Sequence, residues 1–163
     1  MPVDYLGPIL YDYVDEAAVG LEPTPGRIIH IAPGQEVAWD DCCDGQLWSR
    51  VIQVSPHVTN GTRSAAGPPC GVDYWIATVA LGVIRCAYSL NEDGTVPSPA
   101  QITSDGQQML DDMVVLQQVV LCNPNTWEIQ GWTPSGPLGG CHGGEWVFTV
   151  KFQTCQCVEI HPV

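Results

Sequence analysis

The first periodic segment of the chain runs from Leu6 to Leu21. Its apolar side chains recur at three- and four-residue spacing, and acidic residues lie between them. This pattern predicts a short amphipathic helix that starts near Pro8. Pro23, Pro25 and Gly26 should end the helix, because prolines and glycines continue helices poorly.

Four strand-like segments follow the predicted helix. Residues 27–32 and 35–39 flank the sequence Ala-Pro-Gly-Gln, which has Pro and Gly at the two central positions of a turn. We therefore expect a β-hairpin. Residues 46–56 combine β-branched and aromatic side chains, which favour a strand. The segment 72–88 is the most apolar, and its apolar residues fall on both sides under strand alternation, so it predicts a central strand buried on both faces.

A second, longer helix is predicted to begin at Ser98. Ser98, Pro99 and Gln101 match an N-cap, a first-turn proline and a capping box. The helix should end near Cys122, ahead of Pro124. Its apolar residues form a wide stripe, which consists of Ile102, Met109, Leu110, Met113, Val114, Leu116, Val120 and Leu121.

The remaining elements complete the predicted fold. Residues 126–133 and 145–153 read as two strands, the second with clear alternation. Segments near 57–71 and 134–144 are rich in turn-forming residues and predict loops that are mobile or are ordered only by a neighbour. The element order predicts a single α+β domain spanning 1–163, with a mostly antiparallel sheet flanked by an N-terminal helix and one longer central helix.

The charge balance narrows the range of partners. The chain has 18 acidic and 5 basic residues and a formal net charge of −13. The basic residues are scattered, which argues against a surface that grips nucleic acid or anionic lipid. No apolar run approaches the roughly 20 residues of a membrane span, and the N-terminus lacks the basic start of a secretory signal. We therefore expect a cytoplasmic protein with no membrane partner.

The eight cysteines are the most conspicuous chemical feature of the sequence. No pair has the C-x2-4-C spacing of common zinc sites. Cys42, Cys43, Cys155 and Cys157 are candidate thiol pairs or buried thiols, and disulfides that form late are a further possibility. A site of four thiolates built from these residues is the less favoured alternative. We expect neither a metal nor a cofactor.

Catalytic chemistry has weak support in the sequence. Cys141 and His142 are neighbours in a run of glycines, whereas a nucleophile and its base are normally brought together by the fold. The sequence contains no G-x-S-x-G, G-x-x-x-x-G-K-[ST] or H-E-x-x-H motif. We expect a protein that is not an enzyme. A small zinc- or cysteine-dependent enzyme stays as the alternative from another class, and a secreted disulfide-stapled domain is a weaker one.

Several residues are candidates for subunit contacts. Trp132 lies in a Gly-Trp-Thr-Pro sequence, and large aromatic residues concentrate at the centres of interfaces. Leu138 and His142 lie in the second predicted loop, and Arg63 lies in the first. These four residues are the predicted interface candidates.

Four segments together resemble a known family. AWDDCCDGQL at 38–47, VALGVIRC at 79–86, LDDM at 110–113 and GGCHGGEWVFTV at 139–150 resemble head-to-tail region proteins of siphophages that infect actinobacteria. Within that region, the size and element order are similar to those of tail terminator proteins. A neck adaptor or stopper protein of the head-tail connector is the alternative within the same particle.

The resemblance implies a structural role in the virion. Tail terminators form a ring, expected here to be a homohexamer, that caps the tail tube at its final length and joins it to the connector. The implied partners are other copies of the chain, the major tail tube protein and the connector or stopper protein, and genomic DNA passes through the bore without specific binding. The implied location is the virion, with the host cytoplasm during assembly. The resemblance transfers no catalytic residue.

Overall fold

The computed structural model describes residues 5–34, 36–39, 42–57, 72–89 and 94–153. The elements, in chain order, are α1 (Gly7–Gly20), β1 (Arg27–Ala32), β2 (Gln46–His57), β3 (Tyr74–Cys86), α2 (Pro99–Cys122), β4 (Thr126–Leu138) and β5 (Cys141–Phe152). The predicted α+β class and both predicted helices are confirmed. Most of the loop predicted near 57–71 lies outside the described residues.

The five strands form one mixed sheet in the order β1-β2-β3-β5-β4. All neighbouring pairs are antiparallel except β1 and β2, which are parallel. The prediction of a central strand is confirmed, because β3 occupies the middle of the sheet and its second half is buried on both faces.

The hairpin predicted across residues 27–39 is wrong. β1 pairs instead with β2 in parallel, with Arg27 opposite Gln46, and no strand forms in the described residues 36–39. Residues 33–45, here called the crossover segment, connect the two parallel strands; residues 33, 34, 36–39 and 42–45 of it are described. Val37 and Trp39 pack against the sheet instead of pairing along its edge, so burial outweighs the turn signal.

The loop predicted for residues 134–144 is also wrong. β4 continues to Leu138 and β5 begins at Cys141. Gly139 and Gly140 have φ values of 59° and 78°, which suit a two-residue hairpin turn. Gly144 lies against the Trp132 indole ring, so a side chain there would collide with it. Gly139 and Gly140 therefore form a tight turn, and Gly144 allows close packing against Trp132.

Both helices pack on one face of the sheet and form the main core. Its buried residues include Leu10, Tyr13, Val14 and Ala17 from α1, Leu116 and Val120 from α2, and Leu47, Val79, Leu81, Val83, Phe148 and Val150 from the sheet. The predicted capping box of α2 is present: Gln101 N–H donates to Ser98 Oγ at 3.3 Å, and Ser98 N–H donates to Gln101 Oε1 at 2.8 Å. Among the described residues, no helix combines the length and apolarity needed to cross a bilayer.

A smaller cluster lies on the opposite face of the sheet. It joins the crossover segment to β2, β3 and β5 through Ala32, Val37, Cys42, Trp48, Ile84 and Cys141. Trp48 lies directly over Gly82, and Trp39 stacks on Trp48 with ring centroids 6.4 Å apart. This cluster places the adjacent cysteines of the crossover segment beside the ends of β3 and β5.

Candidate functional site

Four cysteines meet at one end of the sheet. Cys42 is joined to Cys141 by a disulfide with a Cα–Cα distance of 5.9 Å, and Cys43 is joined to Cys86 with a Cα–Cα distance of 4.2 Å. Cys86 and Cys141 are themselves partners in the register of β3 and β5. Two neighbouring residues of the crossover segment are thus tied to two neighbouring strands.

The other cysteine predictions fall elsewhere. Cys155 and Cys157 lie outside the described residues. Cys122 is exposed and is the free cysteine of the described part of the chain. Within that part, no group of three or more His, Cys, Asp or Glu side chains is placed to hold a metal ion. The pairing of Cys42 and Cys43 with distant partners was beyond sequence reasoning, because spacing along the chain does not reveal which strands lie together.

The neighbouring Cys141 and His142 do not form a nucleophile and base in this structure. The sulfur of Cys141 is in a disulfide, so it carries no thiol proton for a base to remove. His142 is buried on the helix side of the sheet, opposite Arg85 in the strand register. The pair occupies the first two positions of β5 and serves as part of the sheet.

A buried ion pair lies next to His142. Arg85 on β3 donates from Nε to Asp112 Oδ2 on α2 at 2.6 Å and from Nη2 to Asp112 Oδ1 at 3.0 Å. Gln108 Nε2 donates a third hydrogen bond to Asp112 Oδ1 at 3.2 Å. These bonds satisfy the carboxylate and tie the central strand to the long helix.

Two open grooves adjoin this end of the sheet, with volumes of about 450 and 810 Å³. They share the residues Ala87, Tyr88, Asp105 and His142. The smaller groove is lined in part by the Cys43–Cys86 disulfide and by Arg85. The larger is more apolar, with Ile102 and Met109 of α2 facing the β4–β5 turn. The smaller groove therefore gives solvent access to the Cys43–Cys86 disulfide.

Two further basic side chains, besides Arg85, make defined contacts with neighbouring side chains. Arg50 donates two hydrogen bonds to Glu145, at 3.1 and 2.5 Å. Lys151 Nζ lies 3.9 Å from the centroid of the Tyr74 ring and 4.8 Å from that of Trp127. Together with the buried Arg85, three of the basic side chains are therefore engaged in ion pairs or cation–π contacts. The described surface offers no cluster of cations for phosphate groups.

α2 carries a second apolar stripe that faces solvent. Leu110, Val114 and Leu121 are 46, 42 and 59% exposed, and their spacing of four and seven residues places them on one helix face. Leu110 and Val114 each precede a buried residue, Asp112 or Leu116, by two positions, and two residues correspond to about 200° around a helix. We call these three residues the outer stripe. In the sequence these three residues belong to one wide apolar stripe. The width of that stripe was the signal that part of it could face solvent.

The four predicted interface residues have different environments. Trp132 packs against the main core, with its ring centroid 5.9 Å from that of Trp146. His142 is buried, whereas Leu138 is exposed at the end of β4. Arg63 lies outside the described residues. Leu138 is therefore the exposed apolar residue among the described candidates.

Comparison with known proteins gives no family for the chain. No protein-family model matches it, and no curated protein matches it significantly.

Proposed function

We propose that this protein is a structural virion subunit, a tail terminator that forms a homo-oligomeric ring on the end of a phage tail tube. The observation that carries the proposal is the outer stripe of α2, three large apolar side chains on the solvent face of a long helix in a strongly acidic protein. Exposed apolar residues in a row are typical of protein–protein contacts. The segment resemblance to tail terminators supplies the kind of assembly.

The outer stripe provides the attraction that such a ring requires. Each copy carries a formal charge of −13, so neighbouring copies repel one another. Burying three half-exposed side chains contributes about 1 kcal/mol each. Since every subunit of a closed ring has two neighbours, this contribution recurs at each interface. Leu138 at the β4–β5 turn extends the apolar surface available to a neighbour.

The acidic surface of α1 suits a bore through which DNA passes. Asp12, Asp15 and Glu16 lie on its exposed side, away from the buried Leu10, Tyr13 and Val14. Like charges repel the DNA backbone, so a bore lined by carboxylates lets DNA slide without binding. The proposed location is the virion, between the tail tube protein and the head-tail connector, with assembly in the host cytoplasm.

The oligomeric state of the purified protein tests the ring. We expect light scattering to give a mass several times that of the 17.6 kDa chain, and negative-stain images to show rings. The double variant Val114→Gln/Leu121→Gln should dissociate, because it removes apolar surface without adding charge. Val19→Gln on α1 is the matched control, since Val19 is 88% exposed and lies outside the outer stripe. A strictly monomeric wild-type protein contradicts the proposal.

Tube capping tests the position in the tail. Purified tube protein that polymerises without limit should stop elongating when this protein is added, and the outer-stripe variant should fail to stop it. Binding to the portal or connector without any effect on tube length would instead support the neck adaptor or stopper. Unchanged tube length together with no binding to either partner contradicts both assignments.

A further inference from the structure

We propose that the two disulfides act as a relay: reduction of the exposed Cys43–Cys86 bond opens the buried Cys42–Cys141 bond by thiol–disulfide exchange, and the crossover segment thereby loses both covalent ties to the sheet. The inference concerns the crossover segment alone and goes beyond the proposed ring. It rests on two features: unequal access to the two bonds and the placement of Cys86 beside Cys141.

Access to the two disulfides is unequal. Cys43 and Cys86 are both exposed, and their bond lines the smaller groove. Cys42 and Cys141 are only 3 and 6% exposed and belong to the apolar cluster under the crossover segment. Exchange begins when an external thiolate attacks a disulfide sulfur, so its rate depends on access to that sulfur. An external dithiol therefore reaches Cys43–Cys86 first.

The strand register places Cys86 next to the buried bond. Ala87 N–H donates to Gly140 O at 2.6 Å, so the preceding partners Cys86 and Cys141 form the pair that lacks hydrogen bonds in an antiparallel ladder. Cα atoms in such pairs lie about 4.5 Å apart, with their side chains close together. That separation is within the range that disulfides span, about 4.4 to 6.8 Å. A thiolate at Cys86 therefore lies beside the Cys141 sulfur.

The exchange consumes one dithiol and leaves one disulfide in the protein. A thiolate of the dithiol attacks Cys43 Sγ, the Cys43–Cys86 bond breaks, and Cys86 leaves as a thiolate. The second thiol of the reductant, after losing its proton to solvent, attacks the mixed disulfide, so the reductant becomes a disulfide and Cys43 a thiol. The Cys86 thiolate attacks Cys141 Sγ, forming Cys86–Cys141 and expelling Cys42 as a thiolate that takes a proton from water. Two electrons have moved from the dithiol to the protein.

Loss of both covalent ties follows from this product. The new bond joins β3 to β5, and the disulfides of Cys42 and Cys43 no longer tie the crossover segment to these two strands. The described contacts of the segment that persist include the hydrogen bonds from Gly26 N–H to Asp44 O at 2.6 Å, from Arg27 N–H to Gly45 O at 3.1 Å and from Gln46 Nε2 to Ala38 O at 3.2 Å, together with the Trp39–Trp48 stack and the packing of Val37. One two-electron reduction thus removes both covalent ties, whereas independent disulfides would require two.

Mapping the cysteines after limited reduction tests the relay. Oxidised protein is treated with one equivalent of dithiothreitol, alkylated with iodoacetamide, digested with pepsin and analysed by mass spectrometry for all eight cysteines. The expected product carries alkyl groups on Cys42 and Cys43 and a Cys86–Cys141 disulfide, and amide hydrogen exchange in residues 36–39 should accelerate. Alkylation of Cys43 and Cys86 with Cys42–Cys141 intact would overturn the relay. An oxidised protein that lacks the two starting disulfides would also overturn it.

Two variants separate the relay from simple exposure of the buried bond. Cys43→Ser/Cys86→Ser keeps Cys42–Cys141 but removes the internal thiol, so this bond should open about ten-fold more slowly than in the wild type, or slower still. Cys122→Ser removes an exposed thiol outside the cluster and should leave the wild-type rate unchanged. Equal rates in the double variant and the wild type contradict the relay. Circular dichroism establishes that each variant is folded, and the wild-type map decides the question even if the double variant is not.

Discussion

Arg85 and Asp112 form a buried, doubly hydrogen-bonded ion pair that joins the central strand β3 to the long helix α2. Such a pair is costly to break, because removing one partner leaves the other charge buried without compensation. Replacing both partners by apolar residues removes the pair and the desolvation cost together. Replacing one partner should therefore lower the stability more than replacing both.

We expect Asp112→Ala to lower the free energy of unfolding by about 3–5 kcal/mol, since Arg85 is left as an isolated buried cation. The double variant Arg85→Met/Asp112→Leu should lose less than the single variant. Urea denaturation followed by circular dichroism measures both. A double variant that is less stable than Asp112→Ala would show that the charges themselves stabilise the fold.

Tyr13 should make the protein sensitive to alkali. Burial raises the pKa of Tyr13 to about 12; the hydrogen bond with Thr126 acts in the opposite direction, and Glu16 adds to the increase. The unfolded chain ionises near pH 10 and the folded chain about two units higher, so stability is complete below pH 10 and falls by roughly 2–3 kcal/mol as the pH rises to 12.

The Tyr13→Phe variant isolates this effect. The hydroxyl of Thr126 donates to Val120 O at 2.6 Å, so the 2.6 Å contact between Tyr13 and Thr126 has Tyr13 as its donor. The variant loses this bond but also loses the ionisable group. Its free energy of unfolding, measured by urea titration between about pH 9 and pH 12, should decline less steeply than that of the wild type. Parallel curves would rule out Tyr13 as the source of alkali sensitivity.

Gly82 and Gly106 form a matched pair for testing close packing. A Cβ atom at Gly82 would lie 2.5 Å from the Trp48 ring, whereas one at Gly106 on α2 would meet no atom within 4 Å. Gly82→Ala should therefore destabilise the protein by about 1–3 kcal/mol. Gly106→Ala should stabilise it by up to about 1 kcal/mol, because alanine favours helix. Thermal and urea denaturation check both, and equal effects would contradict the difference in environment.

The N-cap position of α2 should tolerate a different hydrogen-bond acceptor but not the loss of the acceptor. Ser98→Ala removes the acceptor for Gln101 N–H and should cost about 0.5–2 kcal/mol. Ser98→Asp keeps an acceptor and places a negative charge at the helix N-terminus, so it should retain the wild-type stability. Chemical denaturation of the two variants in parallel provides the comparison. Equal losses in both would mean that the cap contributes little.

Assembly of the proposed ring should increase with salt. Raising the ionic strength from about 0.01 M to about 1 M shortens the Debye length from about 30 Å to about 3 Å and so weakens repulsion between acidic subunits. The apolar contacts of the outer stripe are retained under the same conditions. Light scattering across this range should show a rising oligomeric fraction in the wild type and little change in Val114→Gln/Leu121→Gln. A wild-type oligomer that dissociates in salt would indicate contacts dominated by ion pairs.

Local signals along the sequence predicted most of the elements. The capping box located the start of α2, and the apolar segment at 72–88 identified the central strand. The same reasoning failed where long-range packing decided the outcome. The turn signal at 32–35 gave no indication that β1 pairs with β2 in parallel, and the glycines around His142 resembled a loop although they lie within a hairpin.

The candidate site was harder to predict for the same reason. Cys42 and Cys141 are separated by 99 positions along the chain, so only the completed sheet brings them together. The outer stripe was visible in the sequence as individual residues. Which apolar residues of α2 are buried and which form the outer stripe depends on the side of the helix that faces the sheet. Tertiary packing determines that side.

The position of β5 has a consequence for synthesis of the chain. β5 is made after every other described strand, yet it lies between β3 and β4 in the sheet. Until Phe152 has left the ribosome, β3 keeps an unpaired apolar edge, for roughly 3 to 13 s at typical translation rates of 5–20 residues per second. Nascent chains in this interval expose a surface that aggregates readily. The yield of protein in an expression host should therefore depend on chaperones that bind the nascent chain more than on the stability of the finished fold.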